Sequence, residues 1–144
     1  MDIQLINNEL LSLLHKEAKK NKRRRQNYDL RTTPDDGSQR MLNVLEPNTK
    51  VSIHRHRSTS ETAICIEGSL DWVFYEELPN MDSGVIASDG DVAIDEGSFK
   101  EVARVHISPR EQNFGIQIPP MTWHSIEVHE PSTIMESKDG PYGK

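Results

Sequence analysis

Four residues combine metal-binding side chains with a spacing that a β-sheet can bring together: His54, His56, Glu61 and His124. His54 and His56 are two positions apart in a predicted strand, so both imidazoles leave the same face of the sheet. The polar segment 57–60 suits a turn, so the next strand can return alongside the first and bring Glu61 to the histidine pair. His124 is distant in sequence, and only a closed sheet would place it beside the others.

Imidazole nitrogens and one carboxylate oxygen suit a single divalent transition metal such as Fe, Mn, Ni, Zn or Cu. Ca and Mg prefer oxygen ligands and are disfavoured. Four protein ligands leave a position open on a metal of higher coordination number, which is what catalysis needs. Each histidine taken alone is more often structural or exposed than a ligand. The combination with Glu61, and with Gly68 beyond it, makes coincidence much less plausible.

The N-terminal segment carries a helical pattern, with apolar residues at Ile3, Ile6, Leu10, Leu13 and Leu14. This periodicity predicts one amphipathic helix over about residues 7–20, with Asn7 or Asn8 as its N-cap.

From Met41 onward the pattern changes to short runs rich in Val, Ile, Thr and aromatic residues, separated by turn residues. Such runs predict an all-β sandwich or barrel. Gly68 is expected in a tight hairpin, Pro119–Pro120 in a turn, and residues 89–100 in a loop or insertion. The predicted strands are 41–46, 50–56, 61–67, 69–77, 84–88, 102–108, 114–119, 123–129 and 132–136.

Length and composition fit one globular domain: the chain has 144 residues, of which 34% are hydrophobic and 28% charged. No apolar run approaches the ~20 residues of a membrane span, and the N-terminus lacks a secretory pattern, so we expect a cytoplasmic protein. The single cysteine, Cys65, lies in an apolar run and is expected in the core. Three further histidines have no partner at ligand spacing and are expected to be structural or exposed: His15, His106 and His129.

Charge is unevenly distributed, because the Lys and Arg residues cluster at 19–25 while the rest of the chain is acidic. The acidic body disfavours nucleic acid as a partner, although the basic cluster could contact it. The interpretation we prefer is a solvated helix end, where cations complement the helix dipole. A third possibility is that some of these arginines fold back to meet an anionic ligand.

The segment Asn48-(5)-His54-Arg55-His56-(4)-Glu61-(6)-Gly68 resembles the first motif of the cupin superfamily. Asn48 stands where that motif begins with glycine, but asparagine also tolerates positive φ. The second cupin motif is matched more loosely at residues 119–124. There Met121 replaces a glycine, and further along Val128 replaces an asparagine, so His124 rests on a degraded motif.

The chain is more closely similar to the WbuC family of cupin-fold metalloproteins, which is often found with polysaccharide O-antigen biosynthesis. The matching segments are residues 39–43, the His54 segment, 119–125 and 136–142, with an Arg-rich stretch containing Asn27 before the barrel. The resemblance implies a jelly-roll β-barrel with the metal at its centre, usually in a homodimer. We therefore expect an N-terminal helix and basic arm at 1–30 and a cupin barrel at 31–144.

Three further residues are candidates for contact with a substrate. Arg40 and Arg55 could give bidentate contacts to a carboxylate or phosphate. Tyr142 could line the site if the turn at 140–141 folds the C-terminal tail over the barrel mouth. Trp123 should point away from the metal by strand alternation and serve packing or a dimer contact.

Two principal functions remain open. The chain is either a metal-dependent enzyme, for example an isomerase, epimerase or oxygenase acting on a small sugar-related or carboxylated molecule, or a non-catalytic ligand-binding, metal-binding or sensor cupin. A nucleic-acid-binding sensor that uses the basic cluster is a third, weaker hypothesis.

Overall fold

The computed structural model describes residues 1–79, the backbone of residues 90–91, and residues 98–140. In these ranges the elements follow in the order α1 (Asn8–Lys20), β1 (Arg25–Asp29), β2 (Ser38–Leu45), β3 (His54–Arg55), β4 (Glu61–Glu77), β5 (Gly90–Asp91), β6 (Phe99–Ile107), a 3-10 turn (Pro109–Glu111), β7 (Gly115–Ile118) and β8 (Trp123–Asp139). The predicted strand at 84–88, most of the predicted loop at 89–100, and Tyr142 lie outside the described residues. No helix among the described residues has the length and apolar character needed to span a bilayer.

Helix α1 is confirmed with the predicted bounds. Asn7 is the N-cap, and its side-chain oxygen accepts a hydrogen bond of 3.1 Å from the amide of Leu10, which satisfies one of the free N–H groups of the first turn. Lys19 and Lys20 occupy the last turn, where they complement the negative end of the helix dipole.

The predicted apolar face of α1 was partly wrong. The side chains that are buried against β2 are Leu11, Leu14 and Ala18, at i, i+3 and i+7. Leu13 is 54% exposed, because the helix is rotated so that this residue faces away from the sheet. Leu42 and Val44 of β2 complete this small cluster, which fixes the helix on the outer face of the barrel.

The strands pair antiparallel, and the 17-residue strands β4 and β8 run side by side through the whole sheet. The first half of β4 and the second half of β8 associate with β1, β2 and β7. The second half of β4 and the first half of β8 associate with β3, β5 and β6. The buried side chains of both halves share one core, which includes Leu45, Ala63, Leu70, Trp72, Ile118, Ile126 and Ile134.

The hairpin predicted at Glu67–Gly68–Ser69 was wrong. The chain continues along the same partner strand, since Glu67 is paired with Thr133 and Ser69 with Glu130, with irregular register between them. Gly68 has φ of +104°, and a Cβ there would lie 2.6 Å from the Cα of Ser132. The glycine signal marks a bend in which two strands approach closely, and the chain does not reverse.

The all-β class with one N-terminal helix is confirmed. Cys65 is buried as expected, and burial raises the pKa of its thiol to about 11.

The sequence pattern did not predict β1, because Arg25–Asp29 contains no aliphatic residue. Its strand conformation depends on antiparallel pairing with β2. The predicted boundary between the N-terminal arm (1–30) and the barrel (31–144) therefore falls just after a strand that is part of the sheet.

Candidate metal centre

The site begins with two histidines on neighbouring strands. His54 on β3 and His124 on β8 are direct backbone partners, so their side chains leave the sheet side by side. Their ring centroids are 4.2 Å apart. Antiparallel pairing of β3 with β8 thus brings together two histidines that are far apart in the sequence.

His56 and Glu61 complete the cluster from opposite ends of a short connection. His56 Nε2 lies 2.6 Å from Glu61 Oε2, and Glu61 is the first residue of β4. The expectation that the strand after the turn pairs alongside the first was wrong, since β3 pairs with β5 and β8 while β4 pairs with β6, β7 and β8. The carboxylate reaches the histidines across the interior of the barrel.

All four side chains are almost completely withdrawn from solvent, with relative exposures of 1% to 3%. One candidate ligand atom from each residue lies within 4.8 Å of all the others. A buried cluster of imidazoles and a carboxylate is costly unless its polar atoms are satisfied, and a shared metal ion is one of the few groups that can satisfy them.

Backbone carbonyls orient two of the imidazoles. His54 Nδ1 lies 2.8 Å from the oxygen of Ser52, and His124 Nδ1 lies 2.8 Å from the oxygen of Thr122. A carbonyl can only accept, so in the neutral rings Nδ1 carries the proton and Nε2 keeps its lone pair. His124 Nε2 is buried and has no hydrogen-bond partner among the described residues. These residues therefore fit a metal ion.

The electrostatics of the cluster favour a neutral His124 beside an ionised Glu61. Burial, followed by the proximity of His54, lowers the pKa of His124 to about 4. Burial alone would raise the pKa of Glu61, but the hydrogen bond from His56 and the nearby histidines outweigh it, and the net shift is downward. Neutral imidazole and carboxylate are the forms that bind metals.

Two turns with left-handed backbone position the ligand-bearing segments. Asn48 has φ of 73° and Met121 has φ of 65°, and each stands where a cupin motif has a glycine. The expectation that Asn48 substitutes for glycine through positive φ is confirmed. The amide of Met121 donates a 2.7 Å hydrogen bond to the carbonyl of His56, which joins the His124 turn directly to the His56 segment.

A cavity of about 110 Å³ opens onto the cluster. His54, Glu61 and His124 line it, and half of the eight other lining residues come from β1 and β2. The lining also includes Arg23, Arg25, Asn27, Met41, Asn43, Val51, Ile126 and Glu136.

The arginines that line this cavity belong to the basic cluster at 19–25. Arg25 is 8% exposed and donates a 2.7 Å hydrogen bond to the carbonyl of Lys50. Lys19 and Lys20 lie in the last helical turn, as the helix-end interpretation predicted. Arg23 and Arg25 line the cavity, and the anionic ligand of the third interpretation stays a prediction.

Sequence reasoning did not assign Asn27, Asn43 and Glu136 to the site. Asn27 and Asn43 are backbone partners on β1 and β2, and the alternation of 23, 25 and 27 was the signal that could have found this wall. Asn43 Oδ1 is buried without a hydrogen-bond partner among the described residues.

The structure does not bring Arg40 or Arg55 into the cavity lining. The Arg40 guanidinium donates to Asp36 Oδ2 at 2.8 Å and to the carbonyl of Ser38 at 2.8 Å. The Arg55 guanidinium lies over the Trp123 ring, 4.4 Å from its centroid. Trp123 is buried against Phe99, so the packing role predicted for it is confirmed.

The family comparison gives one match. The model of the family described as "Domain of unknown function (DUF6016)" matches residues 6–86. No curated protein matches the sequence.

Comparison with solved structures identifies the fold. The capsular polysaccharide assembling protein CapF from Staphylococcus aureus has a TM-score of 0.53 at 15% identity, over 80% of this chain and 26% of that chain. KdgF from Halomonas sp. has a TM-score of 0.53 at 14% identity, over 81% of each chain. A cupin superfamily protein from Desulfitobacterium hafniense has a TM-score of 0.53 at 11% identity, over 81% of this chain and 78% of that chain.

These similarities establish a cupin jelly roll. This chain spans about a quarter of the CapF chain, 26% by length, so that comparison concerns one part of a longer protein. In this fold the buried cluster of His54, His56, Glu61 and His124 is compatible with a metal site.

Proposed function

Because the chain belongs to the DUF6016 family, whose description assigns no activity, we propose its function from the site: it is a metal-binding cupin that acts on a small anionic molecule. The observation that carries the proposal is a single cavity that is lined both by His54, Glu61 and His124 and by Arg23 and Arg25.

The metal would be held by His54, His56, Glu61 and His124. Three nitrogens and one oxygen suit Fe, Mn, Ni, Zn or Cu in the divalent state. A bound ion of this kind supplies Lewis acidity, or activates a water or dioxygen molecule, at a position left open by the protein ligands. The carbonyls of Ser52 and Thr122 support this role, because they hold His54 and His124 with Nε2 directed to the site.

Arg23 and Arg25 of the cavity lining would bind the charged part of the substrate. A guanidinium presents several N–H donors in a plane and binds carboxylate or phosphate oxygens in a bidentate manner. Arg23 is exposed and free to adjust, while Arg25 is anchored by Lys50. The Asn43 amide adds polar recognition beside them. A small carboxylated or phosphorylated, sugar-related molecule fits this combination.

Glu136 is the group we assign to proton transfer. Among the described lining residues it is the one carboxylate besides Glu61, and it is 6% exposed. A carboxylate outside the metal cluster can take or return a proton while the metal ligands stay in place. An isomerase or epimerase reaction would use it in this way.

The biological setting is proposed from resemblance. The WbuC-like segments favour a role in polysaccharide or O-antigen biosynthesis and a homodimer, while the cytoplasmic location is proposed from the sequence pattern. The structural likeness to CapF, a capsular polysaccharide assembling protein, concerns the fold and is consistent with that setting. Arg40 and Tyr142 remain predicted substrate contacts, which Arg40→Gln and Tyr142→Phe can test.

Elemental analysis of the protein purified from a metal-replete host tests the first half of the proposal. We expect about one transition-metal ion per chain at the barrel site, counted as the difference between the parent chain and His54→Gln/His124→Gln. A metal-free protein that also fails to take up added Fe, Mn, Ni, Cu or Zn would contradict it.

Ligand binding tests the second half. Inorganic phosphate, simple carboxylates and sugar nucleotides should bind to the metal-loaded protein, and Arg23→Gln should weaken binding. Lys22→Gln is the matched control, since it removes the same charge from a neighbouring exposed residue outside the cavity lining. Equal binding by both variants would contradict the assignment of the arginine wall.

The alternative function is a non-catalytic sensor or binding protein. It is favoured by the small volume of the cavity, about 110 Å³, below the ~300 Å³ common for ligand pockets. Turnover of a bound sugar nucleotide that is lost in Glu136→Gln while binding persists would support the enzyme. Tight binding without turnover across these ligand classes would support the sensor.

A further inference from the structure

A second group of ligand-type side chains lies on the opposite side of the sheet from the barrel site. Asp71 on β4, His106 on β6 and His129 on β8 are neighbours across three strands. Trp72 and Val128, which are adjacent to them in sequence, are buried in the core. Strand alternation therefore places Asp71 and His129 on the outer face.

We propose that Asp71, His106 and His129 form a second divalent-cation site, independent of the barrel site and suited to zinc. His106 Nδ1 lies 2.7 Å and His129 Nε2 lies 3.0 Å from the same oxygen, Asp71 Oδ1. All three ligand atoms lie within 4.8 Å of one another. Two imidazole nitrogens and one carboxylate oxygen form a donor set that zinc accepts.

The required adjustment is small. Tetrahedral zinc, with bonds of about 2.0–2.1 Å, separates its ligand atoms by roughly 3.3 Å. Each nitrogen already lies slightly closer than this to the Asp71 oxygen, at 2.7 and 3.0 Å, so a modest outward rotation of the side chains admits an ion. The histidine side chains are 43% and 40% exposed, which gives the ion access from solvent and leaves water as the remaining ligand.

Groups around the three residues already have the arrangement that supports a metal site. His106 uses its other nitrogen, Nε2, to contact Glu111 Oε2 at 2.7 Å. This is the carboxylate–histidine–metal relationship that fixes ring orientation in many metal sites. Arg104 contacts the second Asp71 oxygen, Oδ2, at 3.1 Å, so Oδ1 remains directed towards the histidines.

The position of the site suggests what the ion would do. Among the described strands, β6 pairs only with β4, and its residues from Lys100 to His106 are exposed. A cation held by Asp71, His106 and His129 would tie β6 to both β4 and β8. The site is therefore a stabilising cross-link for an edge strand.

Zinc binding to the full chain tests the proposal. With the barrel ligands removed by the double variant His54→Gln/His124→Gln, we expect about one zinc per chain and a rise of the thermal midpoint with added zinc. Further substitution of His106→Gln and His129→Gln should abolish both effects. No zinc uptake and no zinc-dependent rise in the first variant would overturn the proposal.

A second measurement covers the case in which the barrel variant does not fold. His106→Gln/His129→Gln in the otherwise unchanged chain should bind one zinc fewer than the parent chain, and an unchanged count would overturn the proposal. Glu111→Gln should weaken the outer site by about 10- to 100-fold, as expected for loss of a group that orients a ligand. Glu101→Gln is the control, because Glu101 contacts Arg104 on the same face and neither histidine. Equal zinc affinity of Glu111→Gln and Glu101→Gln would contradict the assigned role of Glu111.

Discussion

His54 and His124 are direct backbone partners on β3 and β8, with their ring centroids 4.2 Å apart. This pairing brings together the two cupin motifs, which are far apart in the sequence. It also makes the candidate metal site sensitive to the geometry of the sheet, because the distance between two of its proposed ligands is set by the spacing of adjacent strands.

His124→Gln should remove most of the metal affinity of the barrel site. The variant replaces a buried nitrogen ligand whose tautomer is fixed by Thr122. We expect affinity to fall by more than about 100-fold, beyond the loss typical for groups that only orient a ligand. Isothermal titration with the chosen metal measures the change.

Ser125→Ala is the matched control for this variant. Ser125 is the next residue on β8, faces the other way and bonds to Tyr75 at 2.9 Å. It should retain metal affinity, and an equal loss in both variants would indicate a general disruption of β8.

The metal-free protein should lose stability as the pH falls from about 6.5 to about 4. The ordinary pKa of a histidine is 6.5, whereas the pKa of His124 in the folded chain is about 4. Between these two pH values the unfolded chain binds a proton that the folded chain does not bind. His124 leaves the free energy of unfolding unchanged above pH 6.5 and lowers it progressively until about pH 4. The full loss is about 3 kcal/mol by the usual conversion.

Denaturant unfolding of the chelator-treated protein across this pH range measures the effect. In His124→Gln the slope of unfolding free energy against pH should be smaller in the same window. An identical slope in both proteins would contradict the assignment to His124.

Gly68→Ala should destabilise the fold by about 2–4 kcal/mol, because it combines backbone strain at positive φ with overpacking. Gly68 has φ of +104°, and an added Cβ would meet the Ser132 backbone. Gly37→Ala is the control, since Gly37 has nothing within 4 Å of the added Cβ. Thermal or denaturant unfolding compares the two. A Gly68→Ala protein as stable as Gly37→Ala would show that the bend tolerates a side chain.

Met121→Gly should stabilise the protein by about 1 kcal/mol. Met121 adopts φ of 65°, which costs a residue with a Cβ roughly 1–2 kcal/mol and costs glycine little, while the flexibility of glycine in the unfolded chain offsets part of the gain. Its side chain is 51% exposed, so little packing is lost.

Asn48→Gly is the comparison for this effect. Asn48 has φ of 73°, but asparagine tolerates this conformation better than methionine does, so the gain should be smaller. Chemical denaturation of both variants measures the difference. Destabilisation by Met121→Gly would show that contacts of the methionine side chain stabilise the fold by more than the positive φ destabilises it.

The sequence by itself determined the class of the fold and the identity of the buried cluster. Helical periodicity predicted α1, and alternating β-branched residues predicted most of the sheet. The spacing of His54, His56 and Glu61 on a predicted strand and turn identified them as candidate metal ligands. The structure brings one ligand atom of each within 4.8 Å of the others and of His124. Such predictions succeed because strand and helix periods are local properties of the chain.

Tertiary structure decided the features that depend on which strands become neighbours. Gly68 marks a bend and not a hairpin, because β4 continues along β8 on both sides of it. Arg25 meets the cavity because β1 pairs with β2, and Arg40 does not line it. Asp71, His106 and His129 are distant in sequence and meet only across three strands. Long-range pairing sets these contacts, whereas a local pattern such as the alternation at 23, 25 and 27 indicates only which side chains share a face.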